Sequence, residues 1–216
     1  MKKTILFDLD GTLTDSGEGI INCAQAALEK FGISVQPRER LEAFVGPPLG
    51  DSFAKFGIPA EQIEKAIEIF RSRYIPIGMF ENKPYPGIQE MLSTLKSQGH
   101  QLCVATSKLE PTAVKVLAHF GLTAYFDCIC GSNDQTRITK EEVIAFLLKN
   151  SCICEEVIMV GDTIFDVQGA SKLNIPTIGV SWGYGNVEEM KQAGAIAIAD
   201  SPEMLLEIIN SEMITY

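Results

Sequence analysis

The stretch Lys3-Thr4-Ile5-Leu6-Phe7-Asp8-Leu9-Asp10-Gly11-Thr12-Leu13-Thr14 limits what this chain can fold into more than any other part of it. The apolar run 5–7 reads as a strand. It delivers two carboxylates, Asp8 and Asp10, just before Gly11, where the backbone must bend sharply. A central strand cannot carry two acids into the interior without a partner, because burying an unpaired charge is too costly. Asp-x-Asp at such a strand end therefore asks for a cation, most simply Mg²⁺, which prefers carboxylate oxygens and keeps some of its waters for a substrate. The other reading is a solvated turn after an edge strand, since Asp and Gly are ordinary turn residues.

With 216 residues, 46% of them hydrophobic and 21% charged, the chain can bury a full core as one domain plus an insertion. Its 28 acidic residues outnumber 18 basic ones, for a net charge of -10, and no run of basic residues occurs. Phosphate-backbone binding needs clustered Lys and Arg, so a nucleic-acid partner is not expected. Lys2 and Lys3 precede too few apolar residues for a signal-peptide core, and no stretch approaches the about 20 apolar residues of a membrane span. A cytoplasmic protein without a membrane partner, monomeric or weakly dimeric, is the expectation. Of the six cysteines, Cys128/Cys130 and Cys152/Cys154 form Cys-x-Cys pairs that raise zinc, but they lack the usual two-residue spacer. Cys103 and Cys128-Ile129-Cys130 lie in apolar, strand-like surroundings where cysteine behaves as a small hydrophobe. Reduced thiols fit a cytosolic compartment.

Helical spacing of Ile20, Ile21, Ala24, Ala27, Leu28 and Phe31 predicts a helix over 19–31, and a second is expected over 38–44. Val45-Gly46-Pro47-Pro48-Leu49-Gly50 argues against a regular element there, and Ile63, Ala66, Ile67, Phe70 and Tyr74 mark a helix beginning near Pro59. Residues 15–81 thus read as all helix and loop. From Tyr85 onward helices alternate with apolar strands, predicted at 101–106, 125–130, 157–160, 176–180 and 195–199, the pattern of a parallel sheet covered on both faces. The intervening helices are expected at 86–98, 111–120, 139–148, 165–173 and 187–193, with a last one after Ser201-Pro202. The fold class is α/β: a doubly wound parallel-sheet core of residues 1–14 and 82–216, with an all-helical insertion, 15–81, after the first strand.

Ligands of open parallel sheets bind where strand C-terminal ends meet, so the residues just past each strand are the ones to inspect. Asp8 and Asp10 are the first such place. Thr106, with Ser107 and Lys108, is the second, although Thr at a helix start is often only a cap. The third is Lys140, whose charge at the first position after the Thr139 cap opposes the helix dipole unless an anion lies nearby; Lys149 and Arg137 are its rivals. The fourth is Gly161-Asp162-Thr163-Ile164-Phe165-Asp166, in which Asp162 and Asp166, four residues apart, can share a helical face. Four carboxylates converging without a metal would repel one another strongly. His100 and His119, both near helix ends, are expected to be structural.

Asp8-Leu9-Asp10-Gly11-Thr12-Leu13-Thr14-Asp15-Ser16 resembles the first motif of the haloacid dehalogenase (HAD) superfamily. Thr106, Thr139-Lys140-Glu141 and Gly-Asp-x-x-x-Asp at 161–166 resemble its second, third and fourth motifs, in order. The resemblance covers nearly the whole chain. It implies a HAD Rossmann-like core and a phosphatase in which Asp8 is the nucleophile and Asp10 the acid and base. It further implies Mg²⁺ held by Asp8, the Asp10 main-chain carbonyl and Asp162, with Asp166 in support, and a phosphate held by Gly11, Thr106, Ser107 and Lys140. The insertion resembles the C1-type cap of the subgroup of phosphoglycolate phosphatases and 5′-nucleotidases, which implies a small phosphorylated metabolite as substrate. Arg71 or Arg73 would meet a substrate anion or remain solvated. A dehalogenase is disfavoured because Asp10 is there to serve a leaving group, and a phosphonatase because Lys55 and Lys65 match no pattern. A β-phosphoglucomutase-like phosphotransferase and a HAD-fold protein that binds without turnover remain as alternatives.

Overall fold

The computed structural model describes residues 2–133, 135–151, 153 and 156–211. Strands β1 (Thr4–Phe7), β4 (Gln101–Leu109), β5 (Cys128–Ser132), β6 (Val157–Gly161), β7 (Thr177–Val180) and β8 (Ala197–Ala199) form a six-stranded sheet in the order β5-β4-β1-β6-β7-β8, every pairing parallel. β1 lies at the centre, with Thr4 to Phe7 opposite Gln101 to Val104 on one side and Val157 to Val160 on the other. The chain runs outward to β5 on one side, then returns to β6 on the other. That reversal opens a crevice at the C-terminal ends of β1, β4 and β6.

Side chains alternate across β1: Ile5 and Phe7 belong to one core, while Leu6 packs with Cys103, Met159 and Ile144 in the other. Helices α4 (Ile88–Ser97), α5 (Glu110–His119) and α9 (Pro202–Asn210) cover the first face, and α6 (Lys140–Asn150) with α7 (Ile164–Ser171) covers the second. α8 (Val187–Gln192) packs against β7 and β8.

Between β1 and α4 lie α1 (Gly17–Lys30), a 3₁₀ segment Arg38–Phe44, α2 (Leu49–Lys55) and α3 (Ile63–Tyr74). They bury their own aromatic cluster: Phe44 packs edge-on against Phe53 at 4.9 Å and stacks on Phe56 at 5.1 Å, and Phe53 reaches Phe70. The sequence reading differs from the structure here in two places. Leu49 and Gly50, expected in a loop, begin α2, because Pro48 precedes the first helical residue and so costs no helix hydrogen bond. A two-stranded antiparallel ribbon, β2 (Thr14–Asp15) with β3 (Lys83–Pro84), joins the two crossings of the insertion. Strands this short carry no alternation that could reveal them.

Strand β4 is longer than the expected 101–106, with a bulge between Thr106 and Leu109. The segment Thr123–Tyr125, whose last residue opens the strand expected at 125–130, is a 3₁₀ turn before β5. Cys103 and Cys130 are buried free thiols within strands and Cys128 is partly buried; Cys152 and Cys154 lie outside the described residues. His100 accepts from the Lys3 amide at 3.1 Å, and His119 packs on Phe80 and Phe120. Among the described residues no helix is long and apolar enough to cross a membrane.

Candidate active site

Asp8 emerges directly from β1, its amide donating to Val160 of β6 at 2.9 Å. The chain then turns: Leu13 and Thr14 donate to the Leu9 carbonyl at 3.0 Å, and Gly11 donates to Thr14 at 2.8 Å. Gly11 takes φ +83°, and a Cβ there would lie 2.2 Å from Asp162 Oδ2. Only glycine lets the two loops approach this closely. Asp162 follows β6, accepting from Thr12 Oγ1 at 3.1 Å and from the Tyr184 amide at 2.9 Å.

Asp166 sits one helical turn further, where its Oδ2 accepts from the Thr163 amide at 3.0 Å and hydroxyl at 2.8 Å. Its Oδ1 lies 2.7 Å from Lys140 Nζ. Lys140 also reaches Asp8 Oδ1 at 2.8 Å and donates to the Ala105 carbonyl at 3.0 Å. The anion that the placement of Lys140 called for is therefore a pair of aspartates. The capping box at Thr139 and Glu142 holds the start of α6: the Thr139 and Ile138 amides donate to Glu142 at 2.9 and 2.8 Å. The rivals are elsewhere. Lys149 is exposed, and Arg137 pairs with Glu110 at 3.1 Å and stacks over Phe146.

Asp8, Asp162 and Asp166 each place a carboxylate oxygen within 4.8 Å of the others, all three buried. Burial pushes Asp8 up to about 6, with Lys140 opposing and Asp166 and Asp10 adding to the rise. Burial, then the neighbouring Asp166 and Asp8, push Asp162 up to about 8. Burial works against the Lys140 ammonium, but Asp166 and Asp8 more than offset it and hold it above an ordinary lysine. Three carboxylates thus face one ammonium. At that separation each pair repels by about 3 kcal/mol for an effective dielectric of about 20. An all-oxygen, buried, net-negative donor set fits a hard divalent cation such as Mg²⁺.

Above this cluster a cavity of about 440 Å³ opens between the sheet and the helical insertion. Asp8, Asp10, Thr106, Ser107 and Lys108 line its floor, and Phe44, Leu49, Ile67, Phe70 and Arg71 line its roof. Thr106 is buried, its hydroxyl accepting from the Lys108 amide at 3.2 Å. Gly11, Lys140, Asp162 and Asp166 stand outside the lining, the last three beneath or beside Asp8. Asp10 stands outside the group of Asp8, Asp162 and Asp166: its Oδ2 pairs with Lys108 Nζ at 2.6 Å. Arg71 lines the cavity, whereas Arg73 is bound to Glu81 at 2.7 and 2.9 Å and to Cys23 at 3.2 Å, which removes it from the site.

Two groups at the site escaped the sequence reading. Lys108 carries no sequence signal of its own beyond its place beside Thr106. The loop Ser181-Trp182-Gly183-Tyr184-Gly185 matches none of the expected motifs, although glycine-flanked aromatics just past a parallel strand are a signal of close approach. Trp182 donates to the Thr12 carbonyl at 3.0 Å. The Tyr184 hydroxyl donates to Asp15 and accepts from the Gly17 amide at 2.9 Å, tying the start of the insertion to the loop that holds Asp162. A Cβ on Gly183 or Gly185 would collide with Asp162 at 2.4 or 1.8 Å.

Comparison with known proteins agrees with this geometry. The chain is 41% identical over 190 residues to a 5′-nucleotidase of Pseudomonas aeruginosa, covering 87% of this chain and 86% of that protein. It is 40% identical over 186 residues to the tyrosine-protein kinase PtkA of Mycobacterium tuberculosis, covering 85% of this chain and 64% of that one. A crystal structure of a predicted phosphatase from Clostridium acetobutylicum superposes with a TM-score of 0.93 at 45% identity, over 97% of this chain and 98% of the other. The family profile described as haloacid dehalogenase-like hydrolase matches residues 5–180, the span that contains all four motifs. A doubly wound sheet, an Asp-x-Asp strand end and these matches together make the chain a member of the haloacid dehalogenase-like hydrolase family.

Proposed function

We propose that this chain is a Mg²⁺-dependent phosphomonoesterase that hydrolyses a small phosphorylated metabolite through an aspartyl-phosphate on Asp8. The observation that carries the reading is the position of Asp8: it forms part of the cavity floor and, at the same time, belongs to the buried carboxylate group beside Lys140. Residues 15–81 act as a cap that selects the substrate, and residues 1–14 with 82–216 act as the catalytic core.

Asp8, the Asp10 main-chain carbonyl and Asp162 would hold the ion, with Asp166 oriented by Thr163 in support. When bound, Mg²⁺ offsets the negative charge of the carboxylates and of the phosphate. Thr106 and Ser107 hold phosphoryl oxygens, and Lys140 balances the charge of Asp8 and the phosphoryl group. An Asp8 oxygen attacks phosphorus as the bond to the leaving oxygen breaks, and Asp10 gives that oxygen a proton. Water then attacks the same phosphorus and yields its proton to Asp10, and the bond to Asp8 breaks to release inorganic phosphate.

Phosphoglycolate is the first substrate to try. A 5′-nucleotide is the second, favoured by one observation: the cap side of the cavity is largely apolar and aromatic, and beside Arg71 it carries the acids Asp51 and Glu64. The similarity to a protein named 5′-nucleotidase supports this second reading.

The test is phosphate release from a panel of phosphorylated metabolites and an aryl phosphate, with acid-quenched intact-mass spectrometry. Wild-type protein should turn over and lose activity in chelator, with recovery on adding Mg²⁺. Asp8→Asn should neither turn over nor carry phosphate. Activity that survives chelation overturns the metal assignment, and a phosphorylated Asp8→Asn protein overturns the nucleophile. Phosphoenzyme without release of free phosphate would mark a transferase.

A further inference from the structure

Asp10 does not stand alone. Its Oδ2 lies 2.6 Å from Lys108 Nζ, with the Asp10 and Lys108 side chains only 10% and 7% exposed. Lys108 Nζ in turn donates to the Tyr74 hydroxyl at 2.6 Å and lies 4.9 Å from the centre of the Tyr74 ring. Tyr74 is the last residue of α3, so this contact crosses from the sheet to the helical insertion. The β4 bulge makes the arrangement possible. In a regular strand Lys108 would keep register with β5, but the irregularity between Thr106 and Leu109 re-aims it across the crevice. The other carboxylate oxygen, Asp10 Oδ1, is buried with no protein partner among the described residues. One oxygen is thus pinned by Lys108, while Asp10 itself lines the cavity floor.

We propose that Lys108 is a positioning residue for Asp10, and that Tyr74 completes the arrangement from the cap by fixing the Lys108 ammonium. The inference rests on the reading of Asp10 as the acid and base of a phosphomonoesterase. With Oδ2 held by Lys108, the carboxylate cannot rotate and stays fixed on the cavity floor that it shares with Asp8. Without Lys108 both oxygens are free to turn, and the fraction of time spent in the productive orientation falls. Without the Tyr74 hydroxyl the ammonium keeps its charge but loses one of its two anchors, so a smaller effect in the same direction follows. The cap then contributes to chemistry as well as to selection, since a group on α3 sets the geometry of a carboxylate on the core.

Three variants test this, with p-nitrophenyl phosphate as the probe substrate. Lys108→Met should still phosphorylate Asp8 but hydrolyse it slowly, so acid-quenched mass spectra should show phosphoenzyme accumulating while kcat falls by about 10-fold or more. Tyr74→Phe, which removes one hydroxyl and keeps the ring, should lower kcat by about 3-fold with KM little changed. Lys108→Arg, which keeps a cation within reach of Asp10, should recover part of the loss. A rise in KM at unchanged kcat, with no phosphoenzyme, would make Lys108 a phosphate-binding residue and overturn the proposal. Equal loss in Lys108→Met and Lys108→Arg would do the same. If Lys108→Met does not fold, the kcat and phosphoenzyme level of Tyr74→Phe decide. Wild-type protein that neither turns over nor carries phosphate defeats the phosphomonoesterase reading itself, which is distinct from wild-type activity that the three variants leave intact.

Discussion

Lys140 is the side chain whose location says most about how the site is stabilised. It is almost fully buried, which for a lysine requires compensation, and the compensation comes from Asp8 and Asp166 at 2.8 and 2.7 Å. Gly169 of α7 makes room for it: a Cβ there would lie 2.8 Å from Lys140 Cβ. Removing this cation leaves three buried carboxylates unbalanced beside an incoming phosphate. Lys140→Ala should therefore lower kcat/KM by about 100-fold or more, the usual result of losing one charged donor that stabilises a transition state. Lys149→Ala, at the exposed end of the same helix, should change it by less than about 2-fold. Steady-state kinetics on the two variants checks this, and the opposite ranking would mean that another cation serves the site.

At the scale of elements, the first helix of the insertion and its last turn are held together through closely fitted backbone. The Gly19 amide of α1 donates to the Glu81 carbonyl at 3.0 Å, and a Cβ on Gly19 would sit 1.9 Å from the Gly78 carbonyl oxygen. The obstructing atom is backbone, so no side-chain rotation can relieve the contact. Gly19→Ala should destabilise the protein by about 1–3 kcal/mol, the range for overpacking a well-filled interior, even though alanine is the better helix former. Urea unfolding followed by circular dichroism measures it; unchanged or raised stability would show that α1 and the Gly78–Phe80 turn separate easily. The elements missed from the sequence share a physical cause. β2, β3 and α2 are too short for periodicity to register, and the bulge in β4 depends on how β5 pairs with it.

For the whole molecule, the acids of the site come from the ends of β1 and β6 and from the first turn of α7, with β1 far from the other two in the chain. The folded protein presents them as one group, and the unfolded chain does not. A divalent cation that binds this group stabilises the fold by mass action. At about 100 times its Kd that amounts to about 2.7 kcal/mol. For a chain of this size the melting temperature should rise by roughly 5–10 °C. Scanning calorimetry in Mg²⁺ and in chelator compares the two states, and Asp162→Asn should lose most of the difference. Coincident melting curves for the wild-type protein would place the ion somewhere other than these carboxylates.

What the sequence determined by itself was the set of local patterns and the chemistry attached to their ends. Alternating apolar runs and helical spacing depend on neighbours a few residues away, so the parallel α/β core and the helical insertion were legible. So were Asp8, Asp10, Thr106, Lys140, Asp162 and Asp166 as strand-end or helix-start residues worth attention. Which of these groups meet was decided by the tertiary structure. The order β5-β4-β1-β6-β7-β8 sets Asp162 beside Asp8, and the β4 bulge turns Lys108 onto Asp10. Arg73 goes to Glu81 while Arg71 lines the cavity, although both lie in α3 two positions apart. Tyr184 joins Asp15 to the Asp162 loop across 169 residues of sequence. Contacts over such separations depend on strand order, on bulges and on the packing of one layer against another, and a pattern read over ten or twenty residues holds none of that information.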